Sequence, residues 1–224
     1  LICEDGKPFG EEYTLVSIAD YLLGRVYNEA LQTGKSIEEL AAPYQLTTAS
    51  NLSSSRALRD VTEQYGGEYF AAAVGEVNVT TKMRQCGAII GGEGNGGVIY
   101  PALHYGRDAM VGVALFLTNL AYKKMKVSEL RATYPEYVIA KNKIELSDSA
   151  LIDKILDEVK TIYAAEDINT IDGVKISFEA RKEWVHLRRS NTEPIIRIYA
   201  EAATQEAADA LAQQIIEIAN NIIK

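Results

Sequence analysis

The sequence predicts a mixed α/β domain over residues 1–127 and a smaller α+β domain over residues 128–224, in which helices pack against an antiparallel sheet. In the first part, β-branched runs alternate with apolar stripes at helical spacing, which is typical of an α/β layer. Tyr134-Pro135 interrupts this alternation, because the residue before a proline is disfavoured in a helix. Three strand-like runs separated by turn residues then follow, which indicates antiparallel pairing.

The first domain opens with a long helix over residues 11–32, whose apolar residues recur at helical spacing and which Gly34 ends. Asp108 is expected to cap a second long helix that runs to Lys124. Between these helices, the pattern predicts in turn a strand, a helix, a strand, a helix and two short strands over residues 43–50, 53–67, 68–75, 76–87, 88–92 and 97–101.

The second domain begins with a strand and an amphipathic helix and ends with another amphipathic helix. Between the two helices lie the three strand-like runs, and Asp172-Gly173 forms a turn. In chain order, the predicted strand, helix, three strands and helix cover residues 137–146, 148–163, 170–178, 183–189, 194–202 and 204–223.

The composition argues against several classes of function. With a net charge of −8, the chain lacks the basic excess that general nucleic-acid binding requires. No apolar run is long enough to span a bilayer, so we expect no membrane partner and a cytoplasmic location. Cys3 and Cys86 form no motif and are expected to be small buried hydrophobes rather than a disulfide or metal pair.

Residues 91–97 read GGEGNGG, with Glu93 and Asn95 set among five glycines. The glycines satisfy a G-x-G-x-x-G dinucleotide pattern, but they lead into β-branched residues and a proline rather than into a helix. A flexible hairpin without a ligand is a second interpretation. A third is a sugar site, because a carboxylate and an amide suit paired hydroxyls and glycine lets a ligand approach the backbone.

A second loop, RRSNTEPIIR, spans residues 188–197. Its guanidinium groups, hydroxyls, amide and turn N–H groups match an anion with tetrahedral oxygens. The alternative is a tight β-turn with solvated arginines, one of which can pair with Glu193. A sugar phosphate would satisfy both loops. The candidate phosphate-binding residues are Arg188, Ser190, Asn191, Thr192 and Arg197.

The segments GGEGNGGVIYPALHYGRD and RRSNTEPIIRIYAEA, in this order, resemble the α-D-phosphohexomutase family, which includes phosphoglucomutase, phosphomannomutase and phosphoglucosamine mutase. The resemblance covers essentially the whole chain, as the third and fourth of the family's four domains. It implies that Glu93 and Asn95 read the 3- and 4-hydroxyls of a hexose. It also implies that Arg188, Ser190 and the residues after them grip the phosphate that is not transferred.

The resemblance further implies which parts of the reaction lie elsewhere. The family's catalytic phosphoserine lies in its first domain and its D-x-D-x-D magnesium loop just before its third, so we expect no catalytic residue and no metal ligand in this chain. The sequence begins without Met, and we expect domains one and two of a longer protein to precede it. That protein would interconvert hexose 1-phosphate and hexose 6-phosphate through a bisphosphate with Mg²⁺ as cofactor, and this chain alone would bind without catalysing.

Three positions depart from common family patterns. Ala73 stands where many relatives carry Lys, Gly97 where His is frequent, and Arg189 where Pro or Ala is frequent. The substrate therefore stays open among glucose, mannose and glucosamine phosphates, with a preference for the phosphoglucosamine mutase branch. No motif places His104 or His186 beside a serine or cysteine, and both are expected to be structural.

Two other classes of function also stay open. A stand-alone sugar-phosphate or anion-binding module would use the same two loops without any catalysis. A structural or interaction domain would bind no ligand. Dependence of hexose-phosphate binding on Glu93 and Arg188 separates this last class from the others.

Overall fold

The structure, a computed structural model, describes residues 1–146, 150–190 and 195–223. The chain divides into two compact units, Leu1–Pro135 and Glu136–Lys224. Each unit contains its own sheet and its own helices. Within the described ranges, no helix is both long and apolar enough to cross a bilayer.

The first unit combines a four-stranded sheet with six helices. The helices are α1 Glu11–Thr33, α2 Ile37–Ala41, α3 Ala57–Gln64, α4 Glu76–Cys86, α5 Ala109–Lys123 and α6 Val127–Ala132. The strands are β1 Gln45–Asn51, β2 Glu68–Ala72, β3 Ala88–Glu93 and β4 Gly97–Ile99.

The sheet of the first unit has the order β2-β1-β3-β4. Strand β1 runs parallel to both β2 and β3, whereas β4 pairs antiparallel with β3 as a hairpin. Every residue of β3 is buried, as expected for a strand that helices cover on both faces. The carboxyl ends of β1 and β3 therefore meet at one edge of the sheet, where ligands bind in open α/β sheets.

The predicted ends of the two long helices are confirmed. Gly34 stops α1 in the left-handed conformation with φ 72°. The Asp108 carboxylate accepts hydrogen bonds from the N–H groups of Met110 and Val111 at 2.8 and 3.0 Å, which caps α5. The same residue also holds strand β4, because the backbone N–H of Asp108 donates to the Val98 carbonyl at 2.9 Å.

Within its described residues, the second unit is an antiparallel sheet with two α-helices packed against one face. Its strands are β5 Val138–Glu145, β6 Asp167–Asn169, β7 Val174–Phe178, β8 Glu183–Arg189 and β9 Ile195–Ala202, in the order β5-β9-β8-β7-β6. Its helices are α7 Ala150–Ile162 and α8 Gln205–Ile223, and a 3-10 turn covers Glu179–Arg181. The core lies between α7, α8 and the alternate strand residues that face them, including Val185, Leu187 and Ile198.

The predicted fold class is confirmed, with differences at short elements. Helix α2 and strand β6 span only five and three residues, too few for a periodic pattern to show. The boundary between the units falls later than residue 127, because α6 packs within the first unit. There the Arg131 guanidinium lies 3.5 Å from the centre of the Tyr13 ring, and the Tyr13 hydroxyl donates to the Pro135 carbonyl at 2.7 Å.

A buried carboxylate, Asp20 on α1, ties the helices of the first unit together. Its Oδ1 accepts from the Tyr65 hydroxyl at 2.6 Å, and its Oδ2 accepts from the Tyr134 hydroxyl at 2.8 Å and from the Lys123 ammonium. Burial, together with the nearby carboxylate, raises the pKa of both tyrosines, so both hydroxyls stay protonated donors. The network thus joins α1, the end of α3, α5 and the segment after α6.

We expect Asp20→Asn to destabilise the first unit by about 2–3 kcal/mol, because the change removes charge-assisted hydrogen bonds and leaves donors without an anion. Urea unfolding followed by circular dichroism measures the effect. Glu29→Gln on the exposed side of the same helix is the matched control and should change stability by less than about 0.5 kcal/mol. Equal, small losses in both variants would contradict a structural role for the network.

Candidate functional site

The glycine loop forms the turn of the β3-β4 hairpin. Glu93 is the last residue of β3 and pairs with Gly97 at the start of β4. Strand closure here depends on Gly92, because a Cβ at that position would lie 1.9 Å from the Gly97 carbonyl oxygen. The hairpin therefore presents Glu93 and Asn95 from a closely packed backbone.

Glu93 is buried, and two partners hold its carboxylate. The Asn51 side-chain amide donates to Glu93 Oε1 at 3.0 Å, and the Arg107 Nη1 lies 3.5 Å from Glu93 Oε2. The Asn51 Oδ1 is fixed in turn, because it accepts from the Ser53 N–H at 2.9 Å and from the Ser54 hydroxyl at 3.1 Å. A carboxylate has more acceptor sites than these two partners use, so Glu93 can still accept from ligand hydroxyls.

Asn95, by contrast, is exposed on the turn. Its Oδ1 accepts from the Gly97 N–H at 3.2 Å, which directs the amide NH₂ group away from the hairpin. A cavity of about 260 Å³ opens beside this residue, and its lining includes Glu11, Thr14 and Gly96. The structure thus brings Glu93 and Asn95 together on one turn, one buried and one reaching outward.

The serines that were predicted to cap α3 precede the helix, and two of them, Ser53 and Ser54, belong to this site. The helix is shorter than residues 53–67 and begins at Ala57, because Ser53 and Ser54 form a turn around Asn51. The Ser54 hydroxyl also accepts from the Gly94 N–H at 2.9 Å, which connects this turn to the glycine loop. A polar residue at the end of a buried strand was the available sequence indication of Asn51.

In the second unit, Arg188 on β8 and Arg197 on β9 stand directly opposite each other. Opposed residues of an antiparallel pair share a face with Cβ atoms about 5 Å apart, and like charges in this position repel. Asp172 Oδ2 lies 3.9 Å from Arg188 Nε, an ion pair too long to be a hydrogen bond. The register therefore brings two arginines to one face of the sheet, next to the Asp172 carboxylate.

Ser190 closes this pair of strands. It is buried, and its N–H donates to the Ile195 carbonyl at 3.0 Å across the loop. The predicted phosphate-binding residues Asn191 and Thr192 lie outside the described residues. Of the five predicted residues, the structure therefore brings Arg188, Ser190 and Arg197 together at one end of the β8-β9 pair.

The two histidines have different surroundings. His104 is half exposed, and its Nε2 lies 3.1 Å from the Asp108 carboxylate that caps α5. His186 is buried in β8, and its Nε2–H donates to the Asp172 carbonyl at 2.6 Å. Burial, with a smaller contribution from the nearby Lys175 ammonium, lowers the pKa of His186 to about 4. The ring is therefore a neutral support for the strand that carries Arg188.

Within the described ranges, no three His, Cys, Asp or Glu side chains are grouped so that they could hold a metal ion. The acidic residues nearest the glycine loop are instead engaged with nitrogen donors: Glu93 with Asn51 and Arg107, and Glu12 with the Ser55 N–H at 2.8 Å. Both carboxylates thus already accept from nitrogen donors of the protein.

Both halves of the chain match known domain families. Residues 14–137 match the phosphoglucomutase/phosphomannomutase alpha/beta/alpha domain III. Residues 140–218 match the phosphoglucomutase/phosphomannomutase C-terminal domain. The chain belongs to the phosphoglucomutase/phosphomannomutase family. This membership confirms the resemblance to the α-D-phosphohexomutases that the two loop motifs indicated.

Curated relatives of this family share about a third of their aligned residues with the chain. A probable phosphoglucosamine mutase of Pyrococcus horikoshii is 33% identical over 227 residues, covering 100% of this chain and 46% of the relative. A probable phosphoglucosamine mutase of Methanopyrus kandleri is 32% identical over 177 residues, covering 79% of this chain and 39% of the relative. The chain thus spans less than half the length of these relatives.

Solved structures of the family show the same fold. A phosphoglucomutase/phosphomannomutase family protein of Burkholderia thailandensis superimposes with a TM-score of 0.73 at 23% identity, over 97% of this chain and 43% of the other. A putative phosphomannomutase of Thermus thermophilus gives a TM-score of 0.68 at 21% identity, over 96% of this chain and 43% of the other. At this level of identity the likeness concerns the fold.

The buried His186 predicts a pH dependence of the second unit. The unfolded chain takes up a proton near pH 6.5, whereas the folded state resists protonation until about pH 4. Falling pH through this window therefore favours the unfolded state, at a cost of about 3 kcal/mol when the loss is complete. We expect His186→Gln to remove this component, as measured by unfolding followed through Trp184, the one tryptophan of the sequence.

The matched control is His104→Gln, which removes the other histidine of the sequence. It should retain the whole loss between pH 6.5 and 4, because His186 is unchanged in this variant. Carboxylates titrate in the same range, so the difference between the two variants is the quantity to compare. Identical pH profiles in both variants would show that His186 does not resist protonation in the fold.

Proposed function

We propose that this chain forms the substrate-binding half of a phosphohexomutase, which interconverts hexose 1-phosphate and hexose 6-phosphate. The observation that carries the proposal is the buried Glu93, held by Asn51 and Arg107 at the carboxyl edge of the sheet in the family's third domain. Ligand hydroxyls would supply the further hydrogen-bond donors that this buried carboxylate can accept from. The names of the relatives, which are phosphohexomutases, support the same class of reaction.

Glu93 and Asn95 would bind two adjacent hydroxyls of the hexose, the 3- and 4-hydroxyls. Glu93 accepts from both, whereas the outward amide of Asn95 donates to one hydroxyl oxygen. The glycines beside them remove side chains from the path of the ring. A phosphate would be repelled by Glu93, so this loop faces the neutral part of the ligand.

Arg188, Ser190 and Arg197 would bind the phosphate that is not transferred, together with Asn191 and Thr192 of the same loop. The opposed guanidinium groups supply two positive charges on one face of the sheet, and a phosphate dianion relieves their repulsion. Because a hexose phosphate presents hydroxyls and a phosphate in both orientations, the same two loops serve both halves of the reaction.

The chemical steps belong to groups that we place outside this chain. In the family's reaction, a phosphoserine gives its phosphoryl group to the free hydroxyl of the substrate, and the bisphosphate then returns its other phosphoryl group to the serine. Mg²⁺ would balance the charge that develops. The described residues do not fit a metal site, and the role of this chain is to bind and orient the sugar and its phosphate.

The proposal predicts that the chain binds glucose 6-phosphate with millimolar affinity, and that each loop recognises its own part. We expect Arg188→Ala to weaken binding of both glucose 6-phosphate and inorganic phosphate by about tenfold. We expect Glu93→Gln to weaken binding of glucose 6-phosphate alone, because inorganic phosphate has no hexose hydroxyls. Chemical-shift titrations of the whole chain measure all of these affinities.

Arg181→Ala is the matched control for charge, because Arg181 precedes the other end of β8 and pairs with Glu183 at 2.9 Å. It should bind both ligands as the wild type does. Equal affinities in the wild type, Glu93→Gln and Arg188→Ala would remove the substrate-binding role. Binding of inorganic phosphate with no added affinity for hexose phosphates would leave an anion-binding module instead.

A further inference from the structure

Arg107 lies near the end of the segment GGEGNGGVIYPALHYGRD, and its side chain reaches back to Glu93 of the glycine loop. Residue 107 forms an isolated antiparallel bridge to Ile99, so the backbone of Arg107 runs beside β4. From there its side chain passes over the hairpin toward Glu93. Arg107 directly precedes Asp108 in the sequence. Because Asp108 caps α5, the cap also fixes the position of the Arg107 backbone.

Gly97 provides the space for this side chain. A Cβ on residue 97 would lie 2.6 Å from the Arg107 Cδ and 3.1 Å from the Asn95 Oδ1. The first distance is shorter than ordinary Cβ contacts and the second is tighter than most, so the stem of Arg107 occupies the place that a larger residue 97 would take. The course of the Arg107 side chain therefore depends on the absence of a side chain at position 97.

Glu76 at the start of α4 holds the arginine in this course. Its Oε2 accepts from the Arg107 Nε at 2.8 Å, and its Oε1 accepts from the Arg107 backbone N–H at 3.4 Å. The hydrogen bond from the guanidinium lowers the pKa of the Glu76 carboxyl, so Glu76 stays ionised. With its stem and one nitrogen fixed, the guanidinium has little rotational freedom left to lose on binding.

The guanidinium also lies on the solvent side of Glu93. The Arg107 Nη1 is 3.5 Å from Glu93 Oε2, and the arginine side chain is 46% exposed whereas that of Glu93 is 9% exposed. A guanidinium carries five N–H groups, and the contacts to Glu76 and Glu93 occupy two of them. Because the arginine side chain is partly exposed, its other N–H groups are open to a ligand.

We propose that Arg107 is a third sugar-binding residue, which acts together with Glu93 and Asn95 of the glycine loop. It donates to a hexose hydroxyl oxygen while the same hydroxyl donates to Glu93. This inference rests on the proposed function and adds to it a sugar-binding residue and a preference for a hydroxyl over an amine. A hydroxyl between a guanidinium and a carboxylate uses both its acceptor and its donor capacity. A protonated amine at that carbon could not accept from Arg107 and would be repelled by its charge.

The test compares Arg107→Ala, Arg107→Lys and a matched control, Arg84→Ala. Arg84 stacks on Tyr105 of the same loop at 3.7 Å, so this control removes a guanidinium and a loop contact without touching Glu93. We expect Arg107→Ala to weaken glucose 6-phosphate binding by about five- to tenfold. Arg107→Lys should recover only part of this affinity, because an ammonium cannot contact Glu76 and the sugar with a planar fork. Arg84→Ala should bind as the wild type does.

Deoxy analogues separate a direct contact from a structural effect. In titrations with 3-deoxy- and 4-deoxyglucose 6-phosphate, the penalty of Arg107→Ala should largely disappear for the analogue that lacks the contacted hydroxyl. Affinity for inorganic phosphate should be unchanged in every Arg107 variant. An unchanged penalty with both analogues would overturn the direct contact, and so would wild-type affinity for glucose 6-phosphate in Arg107→Ala.

The outcomes also distinguish this inference from the proposed function. If Glu93→Gln weakens hexose-phosphate binding while Arg107→Ala and Arg107→Lys do not, the role of Arg107 is wrong and the substrate-binding function stands. If the wild-type chain shows no affinity for hexose phosphates, both fail together. A variant is folded if it retains the wild-type amide spectrum outside the loop. If Arg107→Ala does not fold, Arg107→Lys takes its place in the comparison.

Discussion

The hydrogen bond from Asn51 to Glu93 is the contact on which the site in the first unit depends. A buried carboxylate is costly unless donors surround it, and Asn51 supplies one from the neighbouring parallel strand. The same asparagine organises the serine turn before α3, whose Ser54 accepts from the glycine loop. One amide therefore couples the end of β1, the start of a helix and the hairpin, so that the position of Glu93 is set by the sheet rather than by a flexible loop.

The local parts of this arrangement follow from the sequence, and the long-range parts do not. Alternating strands and helices, the Gly34 stop and the Asp108 cap depend on neighbours along the chain, so their patterns are visible in order. The glycines around Glu93 likewise indicated a hairpin, with a sugar site as one of its interpretations. Asn51 and Arg107 come from segments outside the glycine loop, and only the parallel pairing of β1 with β3 and the bridge beside β4 bring them to Glu93.

In the second unit, the sequence predicted that Arg188 and Arg197 bind an anion, but not that they lie opposite each other on paired strands. That Arg188 and Arg197 belong to one loop was evident from their spacing, whereas the register that sets them face to face depends on the whole β8-β9 pairing. On the same face, the Trp184 indole donates to the buried Glu201 carboxylate at 2.6 Å, and His186 faces Tyr199. Polar pairs thus run along this face of the sheet, and the arginines are the pair nearest the loop.

The β8-β9 register has a consequence for how this unit can change over evolution. Side chains alternate between the two faces of a strand, so inserting or deleting one residue in β9 would turn Arg197 toward the apolar layer of α7 and α8 and bring an isoleucine out in its place. Length changes between the two strands are therefore tolerable only within the residues that connect them. The opposition of the two arginines and the correct strand pairing are in this sense inherited together.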